Sequence, residues 1–106
     1  MKRTNLRFFL QLQVVDMIKK DLEFRGIRID HLGLYFEELG AKQITGRFPY
    51  VYEAENWSGQ ILSEEEISFT SSFKVNTVQV RFCANEEYIL NELIRNYRYT
   101  TTRIGG

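Results

Sequence analysis

The last third of the chain passes from a period of two to a helical period within a few residues, and that switch limits the fold more than any other feature. Val78, Val80 and Phe82 alternate with Thr77, Gln79 and Arg81, the pattern of a half-buried strand built from β-branched and aromatic residues. Asn85, Glu86 and Glu87 follow. Asparagine caps a helix by accepting an orphan backbone N–H, and early acids suit the positive end of the helix dipole. Ile89, Leu90, Leu93, Ile94 and Tyr97 then recur at helical spacing, with Arg95 and Arg98 near the end. This predicts a helix from about 86 to 97.

Upstream, Ile67, Phe69, Ser71 and Phe73 alternate with Glu66, Ser68, Thr70 and Ser72. With Lys74-Val75-Asn76-Thr77 as the turn, residues 66–84 read as an antiparallel hairpin. Phe48, Tyr50, Tyr52 and Ala54 mark a third strand, entered from Pro49 and therefore at an edge or a strand start. Asn56-Trp57-Ser58-Gly59 reads as a turn and Gln60-Ile61-Leu62 as a short returning strand. Phe8, Leu12, Val15, Ile18 and Leu22 fit one face of a helix from about 5 to 25 ending at Gly26, although residues 6–14 also alternate as a strand would. Asp30 reads as the cap of a short second helix that carries Leu32, Tyr35, Phe36 and Leu39 and ends at Gly40, with Gly33 inside it. The segment 97–104, rich in threonine, reads as a last edge strand or a frayed end.

The expected fold is a single α+β domain over residues 1–106: a two-layer arrangement with an antiparallel sheet of three to four strands packed against N-terminal and C-terminal helices. The alternative, if the first segment is a strand, is a ferredoxin-like order. The length of 106 residues and an apolar fraction of 43% suffice for a core. No run of apolar residues is long enough to span a bilayer. No cleavage site follows the basic start, and Cys83 stands alone. These features predict a cytoplasmic protein without membrane association.

Net charge is zero but segregated. Residues 1–28 hold seven basic and three acidic groups, 29–73 hold two and eight, and 74–106 hold five and three. The sequence contains none of the usual catalytic or cofactor signatures. His31 beside Asp30 offers a general base without a nucleophile. Cys83 precedes a helix start, but Glu86 and Glu87 oppose a thiolate there. One Cys and one His cannot make a structural zinc site, and in a strand Glu65 points away from Glu64 and Glu66. The glycines fit no phosphate-binding loop. The expectation is no catalytic residue, no metal and no cofactor.

What remains is surface. Tyr52 and Trp57, bordered by Glu53 and Glu55, form an aromatic and acidic cluster suited to a protein interface. The leading expectation is a small non-enzymatic protein-binding module (regulatory, adaptor or inhibitor) that docks on a protein partner or on itself as a homodimer. One alternative is nucleic-acid binding through Arg95, Arg98, Tyr99 and Arg103, which mix guanidinium groups with an aromatic ring. Another is a small-ligand-binding domain or enzyme with an aromatic pocket.

The sequence closes on Arg103-Ile104-Gly105-Gly106. A Gly-Gly pair after a basic residue resembles the tail of ubiquitin-like and sulfur-carrier proteins. The likeness spans these four residues. Those families open with a β-hairpin, whereas the pattern here predicts an opening helix.

Overall fold

The computed structural model describes residues 17–103. Five strands and two helices follow in the order β1 (Ile18–Arg25), α1 (Ile29–Glu38), β2 (Lys42–Gln43), β3 (Tyr50–Glu53), β4 (Trp57–Ser68), β5 (Lys74–Ala84) and α2 (Glu87–Arg103). The strands form one sheet in the order β1-β5-β4-β3-β2, and every ladder is antiparallel. Both helices pack against the same face. The α+β two-layer reading therefore stands, with five strands in place of three to four. The ferredoxin-like alternative needs parallel neighbours and a final strand, and the described residues provide neither.

The largest correction concerns β1. Residues 18–25 form a strand, not the end of an opening helix; the rest of that expected helix lies outside the described residues. The lysines and acids that resemble the polar face of a helix are cross-strand partners. Asp21 lies opposite Arg81 and Glu23 opposite Gln79 in the register. The Arg81 guanidinium donates to both Asp21 oxygens, at 2.8 and 3.0 Å, and Gln79 donates to Glu23 at 3.0 Å. Leu22 and Phe24 turn the other way, onto the core. Intrinsic helix propensity is a weak preference, and strand pairing with β5 overrides it. Gly26, at φ +76°, turns the chain out of β1 rather than capping a helix.

The hairpin exists, but its turn sits elsewhere. β4 begins at Trp57, inside the expected turn at 56–59, and continues past the expected break after Leu62, with a bulge between Ile61 and Ser63. Ser68 pairs with Lys74, so the turn is Phe69–Phe73 rather than Lys74–Thr77. Asn76, expected in the turn, lies inside β5. There its amide donates to the Ile27 carbonyl at 2.8 Å and to Glu64 at 3.0 Å, and its carbonyl accepts from the Gly26 N–H at 2.9 Å. These bonds tie the root of the hairpin to the β1–α1 turn.

Helix α1 buries Leu32, Gly33, Tyr35 and Phe36. Arg28, not Asp30, occupies the N-cap, and Asp30 instead pairs with the Arg28 guanidinium at 2.8 Å and accepts from the His31 N–H at 3.0 Å. Helix α2 buries Leu90, Leu93, Ile94 and Tyr97 and continues to Arg103, past the end expected at 97. The threonines do not break it because each returns its hydroxyl to the helix. Thr100 donates to the Asn96 carbonyl at 3.0 Å, and Thr101 and Thr102 donate to the Arg98 carbonyl at 2.8 and 2.9 Å.

The two helices meet over Phe36. Its ring lies 4.4 Å from Tyr97, 5.3 Å from Tyr52, 5.6 Å from Phe82 and 5.9 Å from Trp57, centroid to centroid. Tyr97 is fully buried, and its hydroxyl donates to the Leu32 carbonyl at 2.6 Å. Burial holds that phenol far above its ordinary range, as a neutral donor.

Candidate functional site

The expected aromatic and acidic patch does not assemble on one surface. Tyr52 and Glu53 are neighbours in β3, opposite Gly59 and Ser58 of β4, so their side chains leave opposite faces of the sheet. Tyr52 is buried, stacked on Phe36 with its hydroxyl against α1 at Gly33. Two glycines make this possible. A Cβ on Gly33 would collide with the Tyr52 hydroxyl, and one on Gly59 would collide with the Phe36 ring. Trp57 is half-buried and edges a hollow that also receives Leu39, Tyr88 and Ile89. Glu53 and Glu55 are exposed. Tyr52 is thus core, and Glu53 leaves the opposite face of the sheet from it.

The basic and aromatic residues of the C-terminal helix fare differently. Arg95, Arg98 and Tyr99 are all exposed, and their spacing of three and four places them on one face of α2. Glu92 lies 3.8 Å from Arg95. Arg103 forms the last residue of the same helix.

The remaining chemical candidates stand apart. His31 is exposed in the first turn of α1, whereas Cys83 is buried in β5. Burial pushes the Cys83 thiol up, only partly offset by its hydrogen bond with Ser58, which is the reverse of what a nucleophilic cysteine needs. Among the described residues no group of three or more His, Cys, Asp or Glu side chains is placed to hold a metal ion. No described helix is long and apolar enough to cross a membrane.

Two concavities flank the root of the β4–β5 hairpin. A cleft of about 540 Å³ opens between α1 and strands β2–β4, with Ile29, Leu34 and Tyr50 among its walls and Asp30, Glu37 and Glu64 as its acids. On the other side, a hollow of about 420 Å³ separates β1 from the last turns of α2. Leu22, Phe24 and Ile27 line it, with Arg25 and Arg98 beside them. Because β1 ends with Arg25 opposite Thr77, this hollow, the last turn of α2 and the hairpin all lie at one end of the molecule.

Sequence reasoning missed the hairpin tip. Phe69 and Phe73 fit an alternating apolar face, yet they are 51% and 56% exposed. The available signal was the Thr70-Ser71-Ser72 run between them, a turn composition rather than a strand interior.

Comparison with curated proteins and with solved structures finds no match. A protein-family model, that of the archaeal MoaD-like protein, matches residues 20–106. The matched span takes in the whole sheet from Lys20 onward, both helices and the closing Arg103-Ile104-Gly105-Gly106. Residues 18–25, expected at the end of an opening helix, are a strand that leads directly into α1. With most of its length matched from β1 to Gly106, the chain belongs to the archaeal MoaD-like protein family.

Proposed function

We propose that this chain is a non-enzymatic carrier that works by docking on partner proteins, with sulfur as its cargo and the Gly105-Gly106 pair as the carrying end. The observation that carries the reading is the family match running through Gly106, in a family of the small sulfur-carrier type. The chemistry of the tail agrees. A glycine carboxylate has no side chain to shield it, so a partner that activates carboxylates can reach it. His31, Cys83 and the glutamates do not converge on a common point, which leaves the reaction to the partner. In this reading the protein is a carrier rather than a regulator or inhibitor, and its buried free thiol suits the reducing cytoplasm.

Intact-mass analysis tests the proposal. The chain ending at Gly106 is incubated with an ATP-dependent carboxylate-activating enzyme and a sulfide source. The expected result is a mass gain of one sulfur in place of one oxygen, located on the C-terminal peptide and absent after deletion of Gly105-Gly106. A tail that stays unmodified under these conditions, or a gain that survives the deletion, overturns the reading.

A second reading, nucleic-acid binding, is favoured by one observation: Arg95, Arg98 and Tyr99 share an exposed face of α2. Guanidinium groups pair with phosphates and tyrosine stacks on unpaired bases.

A further inference from the structure

The hairpin that joins β4 to β5 outruns its neighbours. β1 leaves β5 at Thr77, and β3 leaves β4 at Ile61, while the β4–β5 ladder continues to Ser68 and Lys74. Among the described residues, the last three residue pairs of that ladder have no flanking strand, a reach of roughly 10 Å at about 3.4 Å per residue. A five-residue turn caps it, closed by the Phe69 N–H donating to the Phe73 carbonyl at 2.8 Å. The Phe69 and Phe73 rings lie 5.5 Å apart and rest on one another. Both face water, an arrangement that leaves apolar area available for burial elsewhere. Below the tip the shaft is acidic: Glu65 and Glu66 are exposed, and Lys74 is its single base.

The two concavities at the root differ in charge. The α1 cleft carries Asp30, Glu37 and Glu64 against Arg28, which already pairs with Asp30. An acidic shaft placed there would meet carboxylates. The hollow beside β1 and α2 has a mixed lining, with Leu22, Phe24 and Ile27 beside Thr101 and Thr102, and presents Arg25 and Arg98. Glu23 and Arg25 already pair with each other at 2.6 Å, which leaves Arg98 to set the sign of the hollow. Charge therefore selects the second hollow. Since that hollow and the hairpin occupy the same end of the molecule, a two-fold axis at this end lets each copy reach the other, and the contact closes on two copies.

We propose that the β4–β5 hairpin is an exchange arm: Phe69 and Phe73 of one copy seat in the hollow between β1 and α2 of a second copy, with Glu65, which alternation places on the same face of β4 as Phe69, facing Arg98. The arm buries its exposed rings, and the opposed charges set its register. The same dimer covers the end of α2 that leads into the tail.

Sedimentation velocity over a concentration series tests this on the full chain. The expected result is a concentration-dependent monomer–dimer equilibrium that weakens with salt. Phe69→Ser with Phe73→Ser should yield a monomer with an unchanged circular dichroism spectrum, because both rings are exposed. Arg98→Glu should weaken the dimer about tenfold, and adding Glu65→Lys to that variant should restore it. A wild-type chain that stays monomeric throughout overturns the proposal. So does a dimer that survives the double phenylalanine change, a charge swap that restores nothing, assembly beyond two copies, or a tip that binds neutral phosphatidylcholine vesicles instead of a second copy. Any of these leaves the carrier reading intact, since that is read from the tail by mass.

Discussion

At the scale of single residues, two glycines make room for the aromatic core. Phe36 can sit at the junction of both helices because Gly59, directly beneath it in β4, lacks a side chain, and Tyr52 can reach α1 because Gly33 does too. Gly59→Ala should therefore destabilise the fold by about 1–3 kcal/mol, the usual range for overpacking a tight interior. Urea unfolding monitored by Trp57 fluorescence measures it, and an unchanged midpoint would show that the ring can move aside. The same contacts explain why Tyr52 does not serve as a surface anchor. Its alternation with Val51 and Glu53 was legible in the sequence, but alternation identifies two faces without saying which is covered. The glycine that admits it, Gly33, comes from another element, 19 positions before it. Cys83 and His31 follow the same logic: their types suggested chemistry, and their depth, buried in one case and exposed in the other, separates them.

At the scale of elements, β1 shows how charge pairing across strands can imitate a helix in sequence. Ile18-Lys19-Lys20-Asp21-Leu22-Glu23 is rich in helix formers, yet its outward side chains meet Arg81 and Gln79 of β5. The Arg81 guanidinium holds the Asp21 carboxyl below the usual carboxylate range, first by hydrogen bonding and then by charge. A lowered folded pKa contributes stability above the carboxyl's ordinary value, and that contribution disappears as pH falls through the folded value. The pair is partly exposed, at 35% and 45%, so its worth is about 0.5 kcal/mol. Asp21→Asn should cost that amount at pH 7, and the difference from wild type should shrink as pH falls below the ordinary carboxylate range. Urea unfolding over a descending pH series checks the prediction; a gap that stays constant in acid would assign the effect to shape rather than charge. Helix α2 makes the complementary point. Threonine composition argued against a helix after Tyr97, but hydroxyls returned to Asn96 and Arg98 let it run to Arg103.

At the scale of the molecule, segregated charge becomes geometry. The acidic middle of the chain supplies the hairpin shaft and the α1 cleft, while Arg25 and Arg98, from the two basic ends, come together beside β1 and α2. That placement bounds the nucleic-acid reading. Arg95, Arg98 and Arg103 can neutralise at most three phosphates, so affinity for single strands should fall with salt at a log–log slope of about −2. Arg95→Glu with Arg98→Glu should abolish binding, as read by fluorescence anisotropy of a labelled oligonucleotide. A steeper slope would require cations beyond these three. The sequence by itself determined the strand at 77–84, the helix that follows it, the α+β class and the closing Gly-Gly. Each of these is written in a local period or a short run of residue types. Only the tertiary structure decided that residues 18–25 are a strand, that β4 is one strand of twelve residues, that the turn is Phe69–Phe73, and that Tyr52 is covered while the two phenylalanines are not. The reason is physical: a period says how side chains alternate along a segment, whereas pairing, register and burial depend on partners dozens of residues away in the chain.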